Sequence, residues 1–287
     1  MPSESNIENL EQELINCGLN LQHKSECLCK VCSEVSTLFE VIDFNRTCSP
    51  DNYPFGLSGI PIYFFRCSNC GFIFNNAFDE FNSKGWVDHV YNADYFKYLD
   101  IDYKVVRPNL NAELLSGIST VIGNKKILGV DYGGGNGSLS DMMNRKGIKF
   151  YSHDPFDYSN IEDNMKGLFN FVSAFEVLEH TTDPIGTFEQ MLELVGDKFV
   201  FVISTQCSHG LIDLNQHLCW HYVAPRNGHV SVYTNMAFKE IAIKFSLDYL
   251  PVSRGLHLFG RGFNLQILKY AAGLVKLKQR VEAKIVK

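Results

Sequence analysis

The segment that most constrains this chain is a glycine-rich turn directly after an apolar run. Residues 127–137 read Ile-Leu-Gly-Val-Asp-Tyr-Gly-Gly-Gly-Asn-Gly, and a helix-like segment follows. Glycine accepts positive φ and lets a ligand approach the bare backbone. We therefore expect a buried strand ending at Asp131 and a ligand-binding loop at Gly133, Gly135 and Gly137. A glycine loop alone is a weak signal of a binding site, and the segments downstream have to support it.

Two later segments support a binding site. The run Phe-Tyr-Ser-His-Asp-Pro-Phe predicts a second strand ending in Asp154, where an acidic side chain can accept hydrogen bonds from ribose hydroxyls. An apolar run that starts at Phe169 predicts another strand, and Glu176, Glu179 and His180 follow it. In an open parallel sheet, residues just beyond the carboxyl ends of strands line the ligand crevice. These polar residues are therefore expected at the site rather than in the core.

In order and spacing, the three motifs resemble the class I S-adenosylmethionine-dependent methyltransferases over about residues 105–260. The resemblance implies an α/β fold, a Rossmann-like sheet with helices on both faces, and S-adenosylmethionine as cofactor. One departure is that only residues 157–168 separate the second and third motifs, where this family usually fits a helix and a strand. We therefore expect the family's third strand to be reduced or missing, and Phe156 to stack on the adenine in place of an acidic contact.

Four of the nine cysteines form two Cys-x-x-Cys pairs, Cys29 with Cys32 and Cys67 with Cys70. Two such pairs can supply four thiolates to one tetrahedral Zn²⁺. Disulfides are the alternative, but they are not expected in a chain without a secretion signal. Cys27 could replace Cys29 in a shifted register. We expect a structural zinc ion that stabilises a small β module.

Composition narrows the classes of function. The hydrophobic fraction of 45% is that of a globular protein, and the net charge of −6 argues against a broad nucleic-acid surface. No apolar run approaches the ~18 residues that a membrane span needs, and the polar, acidic N-terminus predicts no secretory signal. A cytoplasmic location is expected.

The chain is expected to divide into five parts. These are an N-terminal helical leader (1–24), a zinc-binding module (25–80), a helical lid or linker (81–123), the methyltransferase domain (124–260) and a basic C-terminal helix (261–287). The last part holds seven Lys or Arg residues against one Glu on an amphipathic pattern. It could pack on its own domain, on a partner subunit in a homodimer, or on a membrane surface. In the linker, Arg107 could pair with the methionine carboxylate of the cofactor or be a surface arginine.

A loop rich in histidine follows the apolar strand at 199–205. It contains His217, His221 and His229 together with Tyr222. Loops at that edge of an α/β sheet carry substrate chemistry. Zinc is an alternative use of these histidines, but the loop offers no paired carboxylate or short ligand spacing. Catalysis is the interpretation that we adopt.

A Cys-x-x-Cys module ahead of a class I domain resembles bacterial methyltransferases that modify nucleotide-linked sugars. The segment 228–231, Gly-His-Val-Ser, resembles their base-bearing segment, which implies His229 as general base, with His180 and Tyr222 orienting the acceptor and His221 next in line as base. The chain lacks room for the large extra domain of the sugar C-methyltransferases, and Gly228 stands where they tend to have an acidic residue. O-methylation of a nucleotide-linked sugar or surface-glycan (capsule or lipopolysaccharide) precursor is therefore the preferred prediction. Another acceptor (quinone-like phenol, lipid, RNA or protein) and a non-catalytic cofactor-binding scaffold remain the alternatives.

Overall fold

Eleven strands and seven helices organise the residues that the computed structural model describes, which are 4–99, 106–154, 161–208 and 220–285. The strands are β1 (Glu26–Leu28), β2 (Val35–Asp43), β3 (Pro61–Cys67), β4 (Ile73–Asn75), β5 (Leu128–Tyr132), β6 (Lys149–His153), β7 (Phe169–Phe175), β8 (Val195–Ser204), β9 (Ser231–Val232), β10 (Asp248–Ser253) and β11 (Leu256–Arg261). The helices are α1 (Glu4–Asn16), α2 (Ser83–Gly85), α3 (Val106–Ile122), α4 (Ser138–Arg145), α5 (Pro184–Leu194), α6 (Asn235–Phe245) and α7 (Leu265–Ile285).

The chain forms two compact units that alternate along the sequence. The first unit contains residues 1–101, 178–185 and 206–241, and the second contains 102–177, 186–205 and 242–287. Residues 206–208 and 220–241, which the sequence analysis assigned to the methyltransferase domain, thus fold with the cysteine-bearing N-terminal part.

The first unit is built on an antiparallel sheet with the order β1-β2-β3-β4-β9. Its last strand comes from a distant part of the chain, and Val232 of β9 pairs with Ile73 of β4. In β3, the buried Ile62 and Phe64 lie on either side of the less buried Tyr63, as alternation along a strand predicts, and Phe65 is buried as well. The segment around residue 230 is therefore part of the sheet that carries the cysteines.

The second unit is built on a six-stranded sheet with the order β10-β11-β8-β7-β5-β6. Strands β8, β7, β5 and β6 run parallel, and the β10–β11 hairpin closes the sheet antiparallel to β8. Among the described residues between β6 and β7 there is a 3₁₀ turn at Asp163–Met165 and no strand. The α/β fold class, with a Rossmann-like sheet, is confirmed.

The composition of β8 explains why this sheet carries helices on both faces. Its Phe-Val-Phe-Val sequence alternates, so that Val200 and Val202 join a core with α3, α4 and α7, whereas Phe201 contacts Phe188 of α5. A strand segment that is buried on both faces is apolar throughout, as residues 199–203 of β8 are. This arrangement places the end of β5, which carries the glycine loop, at the carboxyl edge of the parallel strands.

Candidate functional site

The glycine loop directly follows β5 and has the backbone that its sequence predicts. Gly133, Gly135 and Gly137 have φ values of 70°, 49° and 74°, which lie in the left-handed region that favours glycine. A Cβ on Gly133 would lie 2.6 Å from a methyl group of Val177, and a real side chain does not tolerate that distance. The loop is therefore a close turn of bare backbone, as a dinucleotide-type site requires.

Two carboxylates of the second unit surround this turn. Asp154 accepts a hydrogen bond from the main-chain N–H of Gly135 at 2.9 Å, and Asp131 accepts one from the hydroxyl of Ser173 at 2.6 Å. Burial raises the pKa of Asp131 to about 7, the negative charge of Asp154 acts in the same direction, and the Ser173 hydrogen bond opposes both. Asp131 is thus a buried acid at the base of the turn, and Asp154 braces the turn from the next strand.

Glu176 follows β7 in an unusual backbone conformation. Its φ is 53°, which is uncommon for a residue other than glycine and typical of functional sites. Its N–H donates to the main-chain oxygen of Ser204 at 2.9 Å, and its carboxylate accepts from the Ser204 hydroxyl at 2.7 Å. These contacts hold Glu176 in place at the carboxyl end of β7.

Arg107 and Phe156 are the other two residues predicted to bind the cofactor. Arg107 lies half-buried in the first turn of α3, in the same unit as the glycine loop. Phe156 lies outside the described residues.

The four cysteines of the two pairs converge in the first unit. Their sulfur atoms all lie within 4.8 Å of one another, with 3.7 Å from Cys29 to Cys70, 3.4 Å from Cys32 to Cys67 and 3.6 Å from Cys32 to Cys70. Zn–S bonds of about 2.3 Å in a tetrahedron give S–S edges of about 3.8 Å. The donor set therefore fits one tetrahedral metal ion. Cys27 lies in β1 and is not in this set, so the shifted register is not adopted.

The two cysteine pairs also share their turn geometry. Ser33 and Gly71, one residue after each pair, have φ values of 62° and 69°. In each pair, a backbone N–H approaches the first sulfur, from Val31 to Cys29 at 3.4 Å and from Cys70 to Cys67 at 3.5 Å. Such backbone donors stabilise the thiolate form that binds metal.

A second polar cluster of the first unit contains three residues named in the sequence analysis. Nδ1 of His229 donates to the main-chain oxygen of Tyr222 at 2.8 Å, and Nδ1 of His180 donates to the main-chain oxygen of Gly228 at 3.2 Å. These bonds put the proton of each neutral ring on Nδ1 and leave Nε2 as the basic nitrogen. The two ring centroids are 4.9 Å apart.

Glu179 completes this cluster. Its fully buried carboxylate accepts a hydrogen bond from the Tyr222 hydroxyl, and its main-chain oxygen accepts from the N–H of Val230 at 2.9 Å. Ligand atoms of Glu179, His180 and His229 all lie within 4.8 Å of one another. This set can relay protons, and it also supplies the carboxylate whose absence weighed against a metal at the histidines.

Other residues of the histidine loop have different roles. The side chain of His221 is exposed, and its ring contacts those of Trp220 and Tyr222. Arg226 is buried and donates to the main-chain oxygen of Val90 at 2.8 Å, and burial lowers its pKa. His217 lies outside the described residues.

Sequence reasoning missed two members of this region. Glu179 was noted after the strand but received no role, and no role was predicted for Cys48, whose sulfur lies 3.5 Å from Nδ1 of His229. The signal for Glu179 was the Glu-Val-Leu-Glu-His motif, in which the residue before His180 is acidic. No local signal connects Cys48 to a histidine 181 residues further along the chain.

Comparisons with known proteins agree with this fold. Residues 106–251 match the family model of a methyltransferase domain. No curated protein sequence is significantly similar to the chain.

Among solved structures, the plantazolicin methyltransferase BpumL in complex with SAH is similar with a TM-score of 0.43 and 14% identity, over 63% of this chain and 82% of that one. The magnesium protoporphyrin IX methyltransferase (ChlM) from Synechocystis PCC 6803 with bound SAM gives a TM-score of 0.37 and 13% identity, over 59% and 94%. The CurJ carbon methyltransferase gives 0.38 and 11%, over 56% and 57%. Since these TM-scores are low, the assignment rests on the family model.

The matched segment spans half of the chain, from the first turn of α3 into β10, and it includes the glycine loop and the carboxylates around it. The chain therefore belongs to the methyltransferase-domain family and is an S-adenosylmethionine-dependent methyltransferase.

Proposed function

We propose that this methyltransferase O-methylates a hydroxyl group of a sugar or surface-glycan precursor, with His229 as the general base. The observation that carries the proposal is the pair of imidazoles at His180 and His229. Each donates from Nδ1 to a backbone carbonyl, which makes Nε2 the basic nitrogen. A neutral imidazole held in one tautomer is suited to accept a proton near neutral pH.

The chemistry of the acceptor explains why such a base is needed. A sugar hydroxyl is a weak nucleophile until its proton is removed as the new bond forms. The cofactor supplies the methyl group and its leaving group when bound, so the protein contributes alignment and removal of the proton. In this proposal Nε2 of His229 would accept the proton of the acceptor hydroxyl group, and bound S-adenosylmethionine would supply the methyl group. Glu179 stabilises the resulting imidazolium because its carboxylate lies in the same buried cluster.

The surroundings of His180 support a small-molecule acceptor. The ring of Tyr91 meets that of His180 edge-on with centroids 5.8 Å apart, and Trp86 stacks on Tyr91 at 5.8 Å. Aromatic walls with a few fixed polar groups are typical of small-molecule sites. We assign to Tyr222 the role of orienting the acceptor, because Tyr222 is hydrogen-bonded to both Glu179 and His229.

We assign cofactor binding to the residues around the glycine loop. Gly133, Gly135 and Gly137 allow the close approach of the cofactor, and Asp154 is assigned to the ribose hydroxyls. Asp131, Glu176 and Arg107 are assigned to the same ligand, with Arg107 on the methionine carboxylate. Phe156 is assigned to the adenine on the sequence argument alone.

We further propose that Cys29, Cys32, Cys67 and Cys70 hold one structural Zn²⁺. The support is the near-tetrahedral spacing of the sulfurs and the matching turns at Ser33 and Gly71. Four thiolates without an open position are typical of structural rather than catalytic zinc. The proposed role is stabilisation of the β1–β4 part of the first sheet.

The decisive experiment supplies the purified protein with methyl-labelled S-adenosylmethionine and a panel of nucleotide sugars, with phenols, lipids, RNA and peptides as parallel arms. Labelling of a nucleotide sugar at oxygen, lost in His229→Ala, is the expected result. Labelling only in another arm would overturn the sugar assignment while retaining methyl transfer. Cofactor binding without labelling in any arm would favour a scaffold.

A further inference from the structure

Helix α7 presents two apolar faces, of which its own unit covers one. Leu265, Leu268 and Ala272 are buried in the core that also contains α3. The packing with α3 is close, because a Cβ on Gly117 would lie 2.3 Å from a methyl group of Val275. One apolar face of α7 is therefore fully used in packing against its own unit, and the second apolar face is left uncovered by this packing.

The second face is a continuous exposed apolar stripe. Its five members, each between 50 and 76% exposed, are Ile267, Tyr270, Leu274, Leu277 and Val281. Their spacing alternates three and four residues, and at about 100° per residue they share an arc of about 80° opposite the docked face. An ordinary solvent face at these positions would be polar, so the stripe indicates a surface that another partner covers.

Charge identifies the kind of partner. Helix α7 carries five Lys or Arg residues against one Glu, although the chain as a whole has a net charge of −6. On the helical wheel Lys278 lies on one side of the stripe, and Arg280 and Lys284 lie on the other. Lys278 also pairs with Glu282 at 3.6 Å, so the excess of positive charge lies mainly on the side of Arg280 and Lys284. A second copy of α7 against this stripe would add the same positive charge, which disfavours self-pairing. An anionic lipid surface satisfies both the apolar stripe and its basic borders.

Among the residues that the structure describes, no helix is both long and apolar enough to cross a lipid bilayer. The stripe is one face of a helix whose other face packs on α3. An attachment that lies in the plane of the interface therefore fits α7, with Tyr270, the most exposed of the five, at the headgroup level.

We propose that the exposed stripe of α7 binds the surface of membranes that contain anionic lipids. The basic borders attract the headgroups, and the five apolar side chains enter the boundary between headgroups and acyl chains. This proposal does not depend on the acceptor assigned above. It predicts binding that weakens at high salt, since the electrostatic part is screened.

Flotation of the full-length protein with vesicles tests the proposal. We expect at least about tenfold stronger partition to vesicles with about one third phosphatidylglycerol than to phosphatidylcholine alone. The variant Leu274→Gln/Leu277→Gln should lose about tenfold or more of that partition. Ile243→Gln is the matched control, because Ile243 is a 73% exposed apolar residue of α6 outside the stripe. It should bind like the unchanged protein.

Three outcomes would overturn the proposal. These are no binding to anionic vesicles, equal binding by the stripe variant, or a dimer in sedimentation that the stripe variant abolishes without any vesicle binding. The last outcome would assign the stripe to a second copy. Melting temperatures of all variants verify the fold. If the stripe variant does not fold, Lys278→Gln/Arg280→Gln/Lys284→Gln should still lose the preference for anionic vesicles.

Discussion

Tyr222 holds His229 by its main chain and Glu179 by its side chain. The main-chain oxygen of Tyr222 accepts from Nδ1 of His229 at 2.8 Å, while the Tyr222 hydroxyl donates to the buried Glu179 carboxylate. One residue thus sets the tautomer of the proposed base and positions the carboxylate assigned to stabilise its charged form. A histidine that ligates a metal ion is usually held in the same way, because its second ring nitrogen donates a hydrogen bond to a carbonyl or carboxylate oxygen.

The proposed base gives the first prediction. His229→Ala should lower turnover by about 10²–10⁴-fold at saturating acceptor, because general-base catalysis contributes about that factor. Cofactor affinity by calorimetry should stay nearly constant. His221→Ala is the control, since His221 lies eight residues away in an exposed position of the same loop. Near-normal turnover of His229→Ala would move the base elsewhere.

The same assay separates proton transfer from metal chemistry at this cluster. With His229 as a metal-free base, turnover should be unchanged by a chelator that is too weak to extract zinc from four thiolates. Loss of turnover on chelation, restored by a divalent cation, would instead indicate that Glu179, His180 and His229 hold a metal ion.

The glycine loop gives a prediction about cofactor binding. Gly133→Ala should weaken S-adenosylmethionine binding by about tenfold or more, because the added Cβ would meet Val177 and displace the turn. Gly147→Ala is a matched control with a similar φ of 75° and nothing within 4 Å of the added Cβ. Calorimetric titration of both variants is the measurement. Equal affinities would argue that the turn does not carry the cofactor.

The cysteine cluster predicts metal content and stability together. Metal analysis should return one equivalent of zinc, and Cys67→Ser should lose it and lower the melting temperature, because metal binding contributes to folding free energy. Cys27→Ser should keep both, since Cys27 lies outside the four-sulfur set. A metal-free protein of normal stability would exclude the zinc assignment.

Asp131 predicts how stability depends on pH. Burial raises its pKa from 3.8 to about 7, so the folded chain binds this proton more tightly than the unfolded chain. The stabilisation is fully present below pH ~4 and is lost as pH rises to about 7. The loss is on the order of 4 kcal/mol in the free energy of unfolding.

Urea unfolding of the cofactor-free protein between pH 4 and pH 8 measures this effect. Asp131→Asn keeps a neutral acceptor for the Ser173 hydroxyl and should remove the Asp131 part of the slope. Identical slopes for the two proteins would contradict the raised pKa.

The amino-acid sequence by itself determined the second unit well. The strands β5, β6, β7 and β8 and the short connection after β6 follow from local patterns of apolar residues, glycine and chain length. The four-cysteine set could likewise be predicted from the sequence, because the Cys-x-x-Cys spacing is visible there. The tight turn after each pair needs only one residue with positive φ, which is Ser33 in one pair and Gly71 in the other. Local steric rules and hydrophobic periodicity act between near neighbours, so they can be read without the fold.

Only the tertiary structure decided which distant residues meet. It brought β9 onto the cysteine-bearing sheet, Glu179 onto Tyr222, and Cys48 next to His229, and it divided α7 into a docked and an exposed apolar face. These contacts depend on long-range pairing and on burial of groups from separate segments, and no window of sequence contains both partners. The sequence could name the histidines, but their tautomers and their carboxylate come from the packed fold.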